Sequence, residues 1–424
     1  MDSYKETKEN QDKLNQNIVN DFLQKIRSNY ILSKIMSHLK KTRSLDIIRY
    51  SRKKQHLLNI SLSDYKNLNF QSKIELEIIP AKNISTKFIN YLNKKDKEYF
   101  HIYYERTDGT TQTCYIFNFR FISKIKIIID PEITSFYKLF YECDAIESIN
   151  FTKFLRANIQ NMSHMFSNCH SLKEITFSQF NTNSVIDMSH MFSDCDLLKE
   201  VNISNFNTLN VTNMSHMFYR CSSLEKLNLS YLNTSNVTNM SNMLSGCSSL
   251  KELNLDYLNT CKLKYMSDLF CGCSSLKELN LSNLNTNNVT DMSYIFCGCS
   301  SLEKINLPNL KNNKVKNMNG LFCRCCALKE INLSNINTDN VENMESMFYG
   351  CSLIKKLDLS NLNTNNVKNM SNMFNGCISL KGLNISNFDF KNVIDMKEMF
   401  SRCSPDLITK IKTKNKNIKK EAFA

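Results

Sequence analysis

The chain has 424 residues and a formal charge of +14, and although 42% of it is hydrophobic, no uninterrupted apolar run is long enough to span a bilayer. The charge is uneven: residues 1–142 hold 25 Lys/Arg against 16 Asp/Glu, 143–400 hold 22 against 22, and 401–424 hold 7 against 2. The middle of the chain is therefore excluded as a basic track for nucleic-acid phosphates.

Residues 1–16, with the polar opening "MDSYKETKENQDKLNQ", read as a disordered N-terminus, and the first 30 residues contain no secretory-type apolar segment. Residues 17–60 read as helical. In "NYILSKIMSHLKKTRSLDIIRYSRKKQHLL" the side chains of Ile31, Leu32, Ile35 and Leu39 share one helical face, and Leu45 with Ile48 starts a second. A helical cap accounts for that pattern. The segment also resembles an F-box, with Ser28, Asn29 and Tyr30 standing where that family has Leu-Pro. The resemblance implies docking onto a ubiquitin-ligase adaptor through Ile31, Leu32, Ile35 and Leu39.

Residues 61–130 read as a β-rich capping region, because "KIELEIIP", "EYFHIYYE", "TCYIFNFR" and "SKIKIIID" are rich in aromatic and β-branched residues and are broken by turn signals such as Asp108-Gly109. A solenoid needs such a cover over its first coil. The basic stretch Lys34 to Lys54 and the tail, 410–424, read as solvated charge runs.

Residues 131–409 are one sentence repeated. Steps of 26 from Cys273 land on Cys143, Cys169, Cys195, Cys221, Cys247, Cys299, Cys325, Cys351, Cys377 and Cys403 without an insertion, and a methionine column from Met162 to Met396 keeps the same step. A period of this length means stacked units, each unable to bury its apolar face alone. Leu279 and Leu281 alternate with polar neighbours, the period of a short strand. Met292, Ile295, Phe296 and Cys299 fall at i, i+3, i+4 and i+7, which predicts a short helix that Gly298 ends in a left-handed conformation. The fold expected is an α/β solenoid of about ten strand-turn-helix coils. With "NVTDMSYIF", "NVTNMSHMF" and "NVKNMSNMF", the segment "LKELNLSNLNT" resembles the BspA-like leucine-rich repeats from about Cys143 to Cys403. It departs from the commoner leucine-rich pattern where Phe206, Leu232, Leu258, Leu284, Leu310, Ile336 and Leu362 replace the usual Asn or Cys. The resemblance implies a curved parallel solenoid that binds proteins.

The candidate partner surface is the outward row of strand residues on the expected concave face: Asn202, Asn228, Asn254, Asn280, Asn306 and Asn332, beside Lys226, Glu252, Glu278, Lys304, Glu330 and Lys356. The asparagines either ladder along the stack or recognise a ligand; the charged row varies in sign and so is where partners are discriminated. The Met and Cys columns read as core. His164, His190 and His216 repeat at 26 and read as solvent-facing and too far apart to share a metal. A second cysteine column, Cys271, Cys297 and Cys323, replaces Ser, Tyr or Asn of other coils and is a weak candidate for zinc or redox chemistry. No phosphate loop, His-Glu-x-x-His or nucleophile elbow occurs, so neither a cofactor nor an enzymatic activity is expected. Repeated Asn-x-Ser/Thr sequons, which glycans would turn against stacking, and the columns of free thiols favour a cytoplasmic protein. A protein-interaction module is the function expected, with an F-box substrate receptor and a surface adhesin exported by another route as alternatives.

Overall fold

The computed structural model describes residues 73–82, 87–112, 121–308, 310, 314–415 and 417–424. The F-box-like segment and its docking residues Ile31, Leu32, Ile35 and Leu39 lie outside the described residues.

The described chain opens with an antiparallel sheet. Strand β1 (Ile74–Pro80) lies between β4 (Ile122–Ile129) and β5 (Ile146–Lys153), while β2 (Phe100–Arg106) and the short β3 (Thr111–Gln112) extend the far edge. Alternation buries Ile74, Leu76 and Ile78 of β1 against Ile125, Ile127 and Ile129 of β4. Strand β5 is where the architecture changes. It pairs antiparallel with β1 on one side and parallel with β6 (Glu174–Phe177) on the other, Ser148 to Phe151 matching Glu174 to Phe177 without a shift. The cap therefore covers what would otherwise be the open edge of the first coil, an edge that invites pairing with other chains.

After β6 each coil carries at most a three-residue strand: β7 (Lys226–Asn228), β8 (Glu252–Asn254), β9 (Glu278–Asn280), β10 (Lys304–Asn306), β11 (Lys356–Asp358) and β12 (Gly382–Asn384). The parallel pairs β7–β8, β9–β10 and β11–β12 match residues 26 apart. An unbroken series of parallel bridges on the other side of the coil runs from Ser135 through Asn161, Asp187 and Asn213 to Asp395 at the same spacing.

The second half of the coil corrects the expectation of a helix. It is a run of β-turns. Met165, Ser167, Cys169 and Leu172 donate their amides three residues back, to Met162, His164, Phe166 and Cys169. The amides between them leave the coil: Met162, His164, Phe166 and Asn168 donate to Asp187, Ser189, Met191 and Ser193 of the next one. Two residues per coil accordingly take positive φ, four apart, as at His164 (55°) and Asn168 (60°) or Tyr294 (54°) and Gly298 (74°). A helix would have used every amide internally and left neighbouring coils with side-chain contacts alone. Four-residue turns place i, i+3, i+4 and i+7 inward as a helix does, so Met292, Ile295, Phe296 and Cys299 are buried as expected.

Identical residues stack in the core. Phe140, Phe166, Phe192 and Phe218 lie nearly parallel with centroids 5.3–5.5 Å apart, and a second ladder runs from Phe270 to Phe400. Each core cysteine from Cys169 to Cys403 donates its thiol to a main-chain carbonyl of the coil before, as Cys195 does to Phe166 at 3.2 Å. A serine there would lose the apolar contacts, and a larger side chain would part the coils. Buried threonines stitch in the opposite direction, Thr208 Oγ1 donating to the Asn233 carbonyl at 2.9 Å.

The stretch read as a basic tail, 410–424, is built into the C-terminal end of the stack. Helix α1 (Pro405–Lys414) starts at the N-cap Ser404, with Pro405 in its first turn, and buries Leu407 and Ile411. The chain then returns to imitate one more coil. Glu398 and Phe400 donate to the carbonyls of Glu421 and Ala422, and Phe423 stacks on Phe400 at 5.4 Å.

The aromatic ladder is interrupted once, at Leu244, and an apolar cavity of about 20 Å³ lined by residues that include Leu244, Phe270 and Met214 lies there. Leu244→Phe is expected to join the two ladders and stabilise the fold by about 1 kcal/mol, read as a rise in Tm by calorimetry. A fall in Tm would mean that the coil pair has no room for the ring.

Candidate functional site

On the exposed side of strands β7 to β11 the first and third residues point to solvent while the middle one packs inward, as Lys226 and Asn228 flank the buried Leu227. All twelve residues picked from the sequence, Asn202 through Lys356, are exposed on this side. The face is hollow over part of its length. A cleft of about 1170 Å³ is lined by residues that include Lys173, Glu200, Lys226, Asn228 and Tyr231.

The asparagines hold their own coil more than they hold each other. Asn202, Asn228, Asn254, Asn280 and Asn332 each accept the amide two residues ahead, from Ser204, Ser230, Asp256, Ser282 and Ser334. The turn after each strand is thereby fixed. Along the row a side-chain bond crosses coils from Asn384 to Asp358, at 3.0 Å. Asparagines of other columns stitch coils more regularly: Asn210, Asn236 and Asn366 donate to the carbonyls of Asn183, Leu209 and Asp339.

The charges of the face are zipped. Lys226 meets Glu252 at 2.8 Å and Lys304 meets Glu278 at 4.0 Å. A second row one residue earlier carries the opposite sign in the same coils, with Lys173–Glu147, Lys251–Glu225 and Lys329–Glu303 at 2.9–3.3 Å. The Glu252 hydrogen bond holds the Lys226 ammonium above its ordinary pKa, and the Lys251 hydrogen bond holds Glu225 below. These side chains are largely solvated, 60% for Lys226 and 66% for Glu252, so the pairs add little to stability and can exchange partners. The compensation ends at Lys355, Lys356 and Lys381, all exposed, where neither column offers an acidic residue.

Two features of this face were missed in the sequence. The compensating charge row stands in the adjacent column, where a sign count along each column would have found it. Tyr231 and Tyr257 occupy a column that is Asn or Gln in neighbouring coils, and they are 63% and 87% exposed beside the strand face. Aromatic side chains with so little burial favour a partner surface.

The other candidates lie on the turn half. Contrary to the solvent-facing, separated placement expected of them, His164, His190 and His216 are half-buried and stack in parallel, with centroids 4.2 and 4.3 Å apart. They line a depression of about 320 Å³ with Lys138, Tyr141, Asp194 and Tyr219. Parallel rings cannot aim their in-plane lone pairs at one metal. Burial, with the neighbouring imidazole charge, lowers His190 and His216 to about 4. The second cysteine column stands in register on successive coils: Cys271 and Cys297 are half-buried and Cys323 is buried. Strung in a row, they do not surround a point, and among the described residues no group of three or more His, Cys, Asp or Glu is placed to hold a metal ion. No helix among the described residues is long and apolar enough to cross a membrane.

A family described as "Mycoplasma protein of unknown function, DUF285" matches residues 134–257, 246–356 and 323–422. No curated protein matches the chain. Among solved structures, the crystal structure of a TLR13–ssRNA13 complex is similar at 19% identity and a TM-score of 0.27, covering 61% of this chain. The chain spans 42% of that protein's length.

The histidine stack generates a pH dependence of known sign. Its folded-state pKa values lie below the ordinary 6.5, so the unfolded chain binds more protons between about 4 and 6.5. The stabilisation is complete above that window and is lost as pH falls through it. Asp187 and Asp194 oppose the shift, and Lys138 reinforces it at His164. Replacing all three histidines by Asn, the residue at Asn242 of the same column, is expected to shrink the fall in Tm across this window. Superimposable pH profiles for wild type and variant would contradict it.

Proposed function

We propose, from the premise that this chain belongs to the DUF285 family, that it is a non-catalytic scaffold whose exposed strand face binds another protein. The observation that carries this reading is the hollow, solvent-facing row of exchangeable charges with Tyr231 and Tyr257 at its side. A rigid stack presents those side chains at fixed intervals without an ordering cost on binding, and interfaces gain most from such preorganised aromatic and charged anchors. The BspA-like pattern of the repeat supports the same function class. Since opposite charges stand side by side along most of the face, the partner is taken to offer both signs there and acidic groups over Lys355, Lys356 and Lys381.

The test is quantitative capture with the full chain as bait, comparing wild type with Lys226→Glu/Lys304→Glu/Lys356→Glu and with Tyr231→Ala/Tyr257→Ala. Each set is expected to weaken recovery of the partner by at least about tenfold, with Tm little changed because the sites are exposed. Recovery of the same proteins at the same level by both variants, or of none by wild type, would sink the reading.

A further inference from the structure

We propose that Tyr231 and Tyr257 seat an extended, proline-rich segment of the partner, an assignment that rests on the reading of the strand face as a protein-binding surface. In other coils this column holds asparagines that tie the stack together: Asn205, Asn361 and Asn387 donate to the carbonyls of Phe177, Leu333 and Ser360 in the coil before. Tyr231 and Tyr257 give up that bond. Their rings are 63% and 87% exposed, with no ring contact or side-chain hydrogen bond among the described residues.

Tyr257 also breaks the backbone pattern. Its φ is 66°, and among the described non-glycine residues it alone takes positive φ outside the two repeated turn columns. A bulky side chain in the left-handed region is strained. Strain at a residue so exposed serves no packing, and it points to a contact made outside the chain.

The surroundings select the ligand. Strand amides and carbonyls run along the stack toward neighbouring coils, as between β7 and β8, so a partner cannot add to this face as another strand and meets side chains only. Those beside the rings are chiefly donors. Asn228 and Asn254 use their Oδ1 atoms to accept the amides of Ser230 and Asp256 at 3.0 and 2.9 Å, which leaves their Nδ2 groups to donate outward, and the tyrosine hydroxyls donate as well. Lys226 and Glu252 answer each other. A proline-rich segment is the complement of such a surface, because it has no amide hydrogens, carbonyls without internal partners, and compact apolar rings. It is extended before it binds, so little ordering cost opposes docking on aromatic side chains. Adjacent coils lie about 4.8 Å apart and a polyproline helix rises about 3.1 Å per residue, so the two tyrosines cover about two successive residues. Asp256, exposed and without an ion pair among the described residues, favours a basic residue beside the prolines.

The experiment titrates the full chain into a fluorescein-labelled decaproline peptide ending in arginine and follows anisotropy, with a Gly-Ser peptide of the same length and ending as the comparison and cellohexaose as a competitor. Expected is binding of the proline peptide and not of the Gly-Ser peptide, weakened at least about tenfold in Tyr231→Asn/Tyr257→Asn. That variant restores the residue of the repeat, and Asn tolerates the left-handed region, so its Tm is expected to equal or exceed that of wild type. Asp256→Asn is expected to remove only the preference for the arginine ending. Equal affinity for the two peptides, an unchanged affinity in the double variant, or displacement by cellohexaose would overturn the proposal. If the proline peptide does not bind while the double variant still loses the captured partner, the proline assignment falls and the protein-binding reading stands; if neither is affected, both fall.

Discussion

Everything in this molecule depends on main-chain hydrogen bonds that run from one coil to the next. In the turn half of each coil alternate amides leave it, as those of Met162, His164, Phe166 and Asn168 do, and in the strand half the ladders match residues 26 apart. A coil cut out of the stack would expose those donors and one side of its apolar core together. That loss explains the need for caps at both ends: β1 on β5, and residues 420–424 on the last coil. It also explains the absence of insertions within the repeats, since one extra residue would take a whole set of donors out of register.

Stacking in register has a second consequence, which is that every column becomes a continuous strip of one chemistry. Phenylalanines make aromatic ladders, core cysteines make a row of thiol–carbonyl bonds, and threonines make a row of buried hydroxyl bonds. Where a column changes residue type, the strip changes properties at a defined place. The charged strand columns change sign, Tyr231 and Tyr257 replace amides, three histidines stack, and three cysteines follow one another in a half-buried to buried column. Departures from the repeat are therefore where function is to be sought, because the repeat itself is consumed by the fold.

Much of this was legible in the sequence because the period is explicit. The inward positions of the Met, Cys, Phe and strand Leu columns follow from spacing alone, as does the outward position of the twelve strand residues. The run of turns was not, because i, i+3, i+4, i+7 describes both a helical face and successive four-residue turns. The distinguishing signal was present in the columns that hold His, Asn, Asp and Gly, residues tolerant of the left-handed region, at two places four apart. A helix has use for such a residue at its end, whereas His164, Asn242 and Asp268 stand in what would be its middle. The histidine contacts were missed for a related reason: a separation of 26 in sequence is about 4.8 Å in a parallel stack, near enough for rings to meet.

The most direct measurement of the inter-coil account is the thermal stability of Gly320→Ala. Gly320 occupies the first left-handed column, with φ at 59°, at a position that a helical coil would place in mid-helix. There a Gly-to-Ala change would stabilise by about 1 kcal/mol. In the turn structure an L side chain is strained, and a Cβ would approach the Tyr294 ring. The expected result is a Tm below that of wild type, and a rise in Tm would contradict the account.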